Sequence, residues 1–140
     1  MKKQYPLISV ITVSYNAVST IEDTILSVIN QTYPNIEYII IDGGSADGTV
    51  DIIEKYVDRI SYWVSEPDKG IYDAMNKGLK VANGDWAIFM GSDDVFFNNK
   101  VIMLVIERIL IPDNIYYGNV ILKTSHKLYP TSIKLSLIHI

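Results

Sequence analysis

Two adjacent aspartates, Asp93 and Asp94, are the residues of this sequence best suited to chemistry. They close the stretch Asp85–Asp94, whose apolar part predicts a buried strand. Side-by-side carboxylates repel, and each raises the free energy of ionising the other. A Mg²⁺-type ion with a phosphate beside it offsets this repulsion, because such ions take one or two protein carboxylates together with phosphate oxygens. The pair therefore predicts a metal–diphosphate site, although an acidic turn that caps a helix from about Asn99 explains the same residues.

A glycine-rich segment, Asp42–Thr49, follows the second predicted strand. Its glycines permit positive φ and close approach of the backbone to a ligand. The carboxylate of Asp42, at the end of that strand, can accept a hydrogen bond from a ligand N–H or hydroxyl. An ordinary turn between a strand and a helix explains the segment as well, and the residues leave both interpretations open.

A lysine, Lys69, lies in the loop Glu66–Gly70, just before a predicted helix from about Ile71 to Ala82. A helix N-terminus favours anions, so a lysine at this place can help to bind a phosphate. A solvated surface lysine is the simpler interpretation.

Continuous apolar, β-branched runs predict the strands that position these side chains. Besides the strand before Asp93, they are Leu7–Ser14, Glu37–Ile41, Ile60–Ser65 and Ile115–Leu122. The intervening segments have helical periodicity, with a capping box at Ser19 and Glu22, Thr49 as a second N-cap and a helix over Lys100–Leu110. The tail from Leu128 to Ile140 has no clear period.

This alternation predicts an α/β fold, with a mainly parallel sheet flanked by helices in a single domain over residues 1–140. Such open sheets bind ligands beyond the carboxyl ends of their strands. Asp42 and Asp93 follow two of those ends.

Composition excludes several classes of protein. The net charge is −4 without a basic run, so we expect no nucleic-acid partner. The absence of cysteine excludes disulfides and cysteine-based zinc sites and favours a cytoplasmic location. No stretch reaches the roughly 18 apolar residues of a membrane span. Neither G-x-G-x-x-G after the first strand nor G-x-x-x-x-G-K-[ST] occurs, which disfavours dinucleotide dehydrogenases and P-loop NTPases.

Four motifs in order resemble family 2 glycosyltransferases of the GT-A (Rossmann-like) fold. They are Ile8–Asn16, Asp42–Thr49, Glu66–Gly78 and Gly91–Asp94. The likeness is greatest to bacterial enzymes of polysaccharide assembly, and it covers the chain to about Leu122. It implies transfer of a sugar, with inversion, from a nucleotide-diphosphate donor that is most often UDP-linked.

The resemblance also implies roles for single residues. Asp42 would accept a hydrogen bond from the uracil ring, Asp93 would contact the ribose or donor sugar, and Asp94 would ligate Mn²⁺ or Mg²⁺ on the diphosphate. The other positions matched to the donor site are Ser14, Tyr15, Asn16, Lys69, Asp73 and Asn76.

The partners implied are the nucleotide-sugar donor and a saccharide or lipid-linked acceptor. A lipid-linked acceptor would place the protein peripherally at the inner membrane face. The apolar tail would suit a homodimer interface or a surface that the rest of a larger domain would cover.

Two departures from the family pattern limit what the resemblance implies. The usual Asp-x-Asp is here Gly-Ser-Asp-Asp, with Ser92 at the first acidic position, so metal binding depends mainly on Asp94. The family's general base is an acidic residue well beyond the metal motif. The candidates after Asp94 are the acidic residues Glu107 and Asp113 and the histidines His126 and His139.

We therefore expect a chain truncated after the donor-binding half, with nucleotide binding and slow or absent transfer. A binding-only fragment is the alternative to a transferase. A metal-dependent nucleotidyltransferase also pairs carboxylates, but it would need a basic, glycine-rich loop near the N-terminus, and Tyr15–Ser19 has no basic residue.

Overall fold

The structure, a computed structural model, describes residues 5–108, 115–118 and 135–139. Its strands are β1 (Ile8–Ser14), β2 (Ile36–Asp42), β3 (Tyr62–Ser65), β4 (Trp86–Gly91), β5 (Ile115–Gly118) and β6 (Leu135–His139). Its helices are α1 (Ile21–Ile29), α2 (Thr49–Lys55), α3 (Ile71–Val81) and α4 (Val101–Arg108), with a 3₁₀ turn at Val57–Arg59.

All six strands form one sheet in the order β3-β2-β1-β4-β6-β5. The first four strands in this order are parallel, β6 is antiparallel to β4, and β5 is antiparallel to β6. The predicted α/β fold with a mainly parallel sheet is confirmed. Central β1 is almost wholly buried, as its continuous apolar sequence requires for a strand covered on both faces.

Helices cover both faces of the parallel strands. One face packs on α1, α2 and α4 through a core that includes Ile25, Ile53 and Ile102. The other face packs on α3 through Ala74. Helix α3 lies close to β1, because a Cβ at Gly78 would come within 2.5 Å of an Ile11 side-chain carbon.

The predicted capping box at the start of α1 is wrong. The N-cap is Thr20, without a side-chain capping bond, and Ser19 lies outside the helix. Glu22 does not turn back to the backbone, because its Oε1 accepts hydrogen bonds from Tyr56 at 2.6 Å and Lys55 at 2.9 Å. Tertiary partners on the neighbouring helix have replaced the local cap.

The predicted cap at Thr49 is also wrong. Thr49 is the first residue of α2 and Gly48, with φ of 103°, is the N-cap. The Thr49 hydroxyl instead accepts the Ala17 amide at 2.8 Å and donates to Asp47 at 2.6 Å. It therefore ties the turn after β1 to the turn after β2.

Strand β6 was not predicted, since the tail shows no clear period. Its five residues pair with β4, where His139 lies opposite Trp86, and such a distant partner leaves no signal in a short segment. The predicted strand Ile115–Leu122 is confirmed over Ile115–Gly118, and its remainder lies outside the described residues. Within the described part of the chain, no helix is long and apolar enough to cross a membrane.

Candidate active site

A row of three polar side chains crosses the carboxyl ends of β1, β2 and β3. Ser14 and Asp42 are register partners on β1 and β2, and Asp42 and Ser65 are register partners on β2 and β3. Both serines donate to the carboxylate at 2.7 Å, Ser14 to Oδ1 and Ser65 to Oδ2. The parallel sheet thus brings residues that are far apart in sequence into one hydrogen-bonded row, as expected for its ligand-binding edge.

Asp42 is fully buried, with a relative exposure of 0%. Besides Ser14 and Ser65, its oxygens accept the Gly44 amide at 3.1 Å and both the amide and the hydroxyl of Ser45, at 2.8 and 2.6 Å. Burial raises the pKa of Asp42, but the hydrogen bonds more than offset this and hold it below its usual value. Asp42 is therefore a buried, ionised anchor for the turn that follows β2.

These partners differ from the predicted role of Asp42 at a uracil ring. A carboxylate offers about four lone-pair sites. Asp42 accepts five hydrogen bonds from within the chain, so a ligand N–H would have to displace one of them. Asp42 thus positions the turn after β2, and its predicted contact with a uracil ring stays a prediction.

Asn16 extends the same network to the surface. Its φ of 47° lies in the left-handed region, which asparagine tolerates better than most residues. Its amide donates to Ser45 Oγ at 2.8 Å and its Oδ1 accepts the Ala46 amide at 3.0 Å. Ser14, Asn16 and Asp42 are thus brought together as predicted, with Ser45 joining them. Tyr15 lies between the first two in sequence and is 66% exposed.

The predicted metal pair follows β4 in a tight turn. The Asp94 amide donates to the Gly91 carbonyl at 3.1 Å, and the Gly91 amide donates to Asp94 Oδ2 at 3.0 Å. A Cβ at Gly91 would lie 3.1 Å from both Asp93 Oδ1 and Asp94 Oδ2. The two carboxylates therefore converge above a glycine that leaves them room.

The electrostatics of the turn fit a cation. The Asp94 side chain is exposed, but partial desolvation still raises its pKa. The hydrogen bond from the Gly91 amide lowers this pKa by a smaller amount, and the charge of Asp93 raises it further. A nearby cation would offset both costs of ionisation. In the described segments no group of three acidic or histidine side chains could hold a metal by itself. A Mg²⁺- or Mn²⁺-type ion here would need one or two of these carboxylates and oxygens from a ligand.

The other predicted donor residues lie in and beside α3. The Lys69 amide donates to Asp73 Oδ2 at 2.9 Å, which closes the first turn of the helix. Lys77 Nζ lies 3.1 Å from Glu66 Oε1 and 3.9 Å from Asp73 Oδ2, and so ties the preceding loop to α3. Asn76 is exposed. The structure joins Lys69 and Asp73 to each other, but it gives neither them nor Asn76 a contact with Asp93 or Asp94.

Two of the candidate general bases, Glu107 and His139, lie among the described residues. Glu107 is exposed near the end of α4. Asp113 and His126 lie outside the described residues. The backbone of His139 pairs with Trp86, at the amino end of β4, five residues from Gly91. At about 3.3 Å per strand residue, roughly 17 Å separates that position from the carboxylate turn.

Sequence reasoning missed Ser45 and Ser65, which hold Asp42 from the turn and from β3. A signal was present for Ser65, because it ends the third predicted strand and such ends meet at one edge of a parallel sheet. Ser45 carried no comparable signal, since its contacts depend on the conformation of a glycine-rich turn.

One family model and several curated relatives match this chain. The family model described as "Glycosyl transferase family 2" matches residues 9–131. An uncharacterized glycosyltransferase of Mycobacterium tuberculosis is 42% identical over 105 residues, covering 74% of this chain and 40% of that protein. The putative teichuronic acid biosynthesis glycosyltransferase TuaG of Bacillus subtilis is 44% identical over 99 residues, covering 69% of this chain and 39% of that protein. The chain thus spans about 40% of the length of these relatives.

Solved structures give the same fold. S. aureus TarS 1-349 in complex with UDP-GlcNAc matches with a TM-score of 0.66 and 27% identity, covering 72% of this chain and 30% of that one. The mannosyltransferase PcManGT from Pyrobaculum calidifontis has a TM-score of 0.72 over 79% of this chain and 34% of its own, at 22% identity, a likeness of fold alone. The predicted GT-A fold is confirmed.

Proposed function

This chain belongs to glycosyltransferase family 2, and from that premise we propose that it binds a nucleotide-diphosphate sugar for transfer to an acceptor. We propose a UDP-sugar as the donor and a saccharide or lipid-linked acceptor in polysaccharide assembly. The TarS complexes with UDP and UDP-GlcNAc and the name of TuaG support this choice. The observation that carries the proposal is the convergence of Asp93 and Asp94 above Gly91, at the carboxyl end of β4.

The two carboxylates have separate proposed roles. Asp94 Oδ2 is engaged by the Gly91 amide, so Asp94 is held in place and its Oδ1 is available to a cation. Asp93 contacts the ribose or donor sugar. Mn²⁺ or Mg²⁺, when bound, supplies Lewis-acid stabilisation of the departing diphosphate. Because Ser92 replaces the first acidic residue of the family motif, Asp94 is the main protein ligand.

The remaining residues shape the nucleotide pocket in this proposal. Tyr15 offers an exposed ring just after β1. Its neighbours Ser14 and Asn16 bond to Asp42 and Ser45, and so hold the turn after β1 against the turn after β2. Asp42 holds those turns from within the core and accepts a hydrogen bond from the uracil ring in this proposal. Lys69, Asp73 and Asn76 flank the donor from the loop and helix that follow β3.

Inversion at the anomeric carbon completes the proposed reaction. It needs a base within hydrogen-bond reach of the acceptor hydroxyl. Asp113 and His126 are the candidates that the structure does not describe. The cytoplasmic location, the membrane-peripheral position and the homodimer remain predictions.

Calorimetry with UDP and Mn²⁺ tests donor binding. We expect binding that EDTA weakens, and an Asp94→Ala variant whose residual affinity no longer responds to EDTA. Asp58→Asn, in the exposed 3₁₀ turn, is the matched loss of one carboxylate and should behave as wild type. Equal UDP affinity in wild type and Asp94→Ala, with and without EDTA, would overturn the metal role.

Release of UDP from UDP-sugars, measured with and without an acceptor extract, then distinguishes sugar transfer from donor binding alone. Acceptor-dependent release supports transfer. Binding without release supports a donor-binding role alone. Release of pyrophosphate from UTP and a sugar phosphate would contradict the proposal in favour of a nucleotidyltransferase.

A further inference from the structure

The loop that joins β3 to α3, Glu66–Gly70, lies directly on the glycine turn after β2. A Cβ at Gly44 would lie 3.3 Å from the backbone nitrogen of Pro67, and a Cβ at Gly43 would lie 2.8 Å from Asp68 Oδ2. The absence of side chains at these two glycines therefore leaves the space in which the β3–α3 loop comes close to the turn.

The side chain of Lys77 holds this loop from α3. Its Nζ lies 3.1 Å from Glu66 Oε1 and donates to the Pro67 carbonyl at 3.4 Å. It also lies 3.9 Å from Asp73 Oδ2, in the first turn of the same helix. The Lys77 side chain is only 26% exposed, and the hydrogen bond with Glu66 raises its pKa, so the ammonium is charged at neutral pH. The ammonium is thus directed at groups of the chain itself.

The outer part of the β3–α3 loop is open to solvent. Lys69 and Gly70 are exposed, and a Cβ at Gly70 would meet no atom within 4 Å. Segments with exposed backbone hydrogen bonds and little apolar packing open at low free-energy cost. The position of this loop therefore depends on polar contacts such as those of Lys77.

We infer that Lys77 is a positioning residue, which holds the β3–α3 loop in the conformation that binds the donor and does not itself contact the donor. The inference rests on the proposed function, in which Lys69 and Asp73 flank the nucleotide sugar. Lys77 bridges Glu66 and Asp73, one on each side of Lys69 in the chain. A loop that is closed in only a fraction of the molecules lowers the apparent affinity for the donor by that fraction.

Lys77→Met is the direct test, since it removes the ammonium and keeps an unbranched side chain. We expect roughly three- to tenfold weaker binding of UDP with Mn²⁺, which corresponds to a loop closed in about a third to a tenth of the molecules. Lys77→Arg keeps a charged donor and should bind UDP within about twofold of wild type. Lys80→Met removes an exposed lysine of the same helix and should bind UDP as wild type does.

Glu66→Ala distinguishes positioning of the loop from a simple effect of charge. If Lys77 acted only by attracting the anionic donor, removal of a nearby carboxylate would strengthen UDP binding. Because Glu66 is the loop partner of Lys77, we expect its removal to weaken UDP binding instead, by a factor similar to that of Lys77→Met. Glu66 is exposed, so this variant also tests the inference should Lys77→Met fold poorly. Glu54→Ala, on the exposed side of α2, is the matched loss of one carboxylate and should leave the affinity unchanged.

Amide hydrogen exchange measures the state of the loop without nucleotide. The Lys69 amide donates to Asp73 Oδ2 and the Gly70 amide donates to Asp68 Oδ1, both at 2.9 Å. In Lys77→Met both amides should exchange at least about threefold faster, because the loop opens more often. Saturating UDP with Mn²⁺ should restore slow exchange, and a merely structural role of Lys77 would not produce this response to the ligand.

The outcomes separate the inference from the function on which it rests. Wild-type UDP affinity in Lys77→Met, tighter UDP binding in Glu66→Ala, equal losses in Lys77→Met and Lys77→Arg, or unchanged exchange at Lys69 and Gly70 would each overturn the inference and leave the proposed function standing. If the wild type binds UDP no better than inorganic pyrophosphate, the proposed function fails and the inference fails with it.

Discussion

Ser65 Oγ donates a 2.7 Å hydrogen bond to Asp42 Oδ2, and so joins the edge strand β3 to the buried carboxylate of β2. Ser65→Ala removes one donor from a buried ionised group. We expect a loss of about 1.5–3 kcal/mol in the free energy of unfolding, measured by urea denaturation. Ser19→Ala removes an exposed hydroxyl before α1 and should cost less than about 0.5 kcal/mol. Equal effects of the two substitutions would contradict the role given to Ser65.

Asn16 should show separable effects of backbone and side chain. Asn16→Gly adopts the φ of 47° without strain but loses the Oδ1 bond to the Ala46 amide. Asn16→Ala loses the same bond and keeps a Cβ in the left-handed region, which alanine tolerates less well than asparagine does. We expect losses in unfolding free energy of about 1 kcal/mol for glycine and about 2 kcal/mol for alanine. Thermal unfolding of both variants measures this order, and an alanine variant at least as stable as the glycine variant would refute it.

Gly91 should be essential to metal-dependent nucleotide binding. In Gly91→Ala the new Cβ would lie 3.1 Å from oxygens of Asp93 and Asp94, so both carboxylates would have to shift away from it. We expect at least about tenfold weaker binding of UDP with Mn²⁺, because ligand positions depend on such fixed geometry. Calorimetry measures the affinity, and unchanged circular dichroism shows that the fold is kept. Retention of wild-type affinity would mean that the two carboxylates do not act together.

Glu37 should make stability depend on acid pH. Burial raises the pKa of Glu37, but hydrogen bonds from the Asn83 backbone and side chain and from Ser9 outweigh it and leave the pKa below the ordinary 4.5. A depressed carboxyl pKa stabilises the fold above the unfolded value, and this contribution is lost as pH falls through the folded value. Glu37→Gln should therefore be about 1–2 kcal/mol less stable at pH 7.

The difference between wild type and Glu37→Gln should shrink below pH 4.5. Urea denaturation at a series of pH values measures it. Asp42 titrates in both proteins, so its contribution cancels in the comparison. A constant difference across the acid range would show that the charge of Glu37 is not what stabilises this network.

Two fully buried threonines should respond oppositely to the same substitution. Thr24 Oγ1 in α1 has no hydrogen-bond partner among the described residues, whereas Thr12 Oγ1 on β1 lies 2.9 Å from the Tyr38 hydroxyl. Thr24→Val removes an unpaired buried hydroxyl and should stabilise the fold by about 1 kcal/mol. Thr12→Val leaves the buried Tyr38 hydroxyl without its partner and should destabilise the fold by about 1–3 kcal/mol. Differential scanning calorimetry gives both signs in one experiment, and two shifts of the same sign would contradict this account.

The sequence was sufficient for the parallel half of the sheet. The continuous apolar runs before Ser14, Asp42 and Asp93 identify strands that are buried on both faces, and their carboxyl ends meet as the parallel geometry requires. The turn at Gly91–Asp94 could also be predicted, since it depends on neighbours in the chain.

The interior of the site could not be predicted, because it depends on contacts between distant segments. Ser65 reaches Asp42 only through the pairing of β2 and β3. The capping box at Ser19 failed for the same reason, since Glu22 found tertiary partners on and beside α2. The local pattern identified Asp42 but not the hydrogen bonds that use all of its acceptor capacity.

The pairing of β4 with β6 has a consequence for synthesis on the ribosome. Strand β4 binds β1 on one side, and both strands are complete once Gly91 has been made. Its other side pairs with Leu137–His139, which are made later. At 5–20 residues per second, roughly 2–10 s of translation separates the two events. During that interval one edge of β4 has unsatisfied backbone groups that can pair with another chain, so the nascent protein is prone to aggregate until β6 emerges.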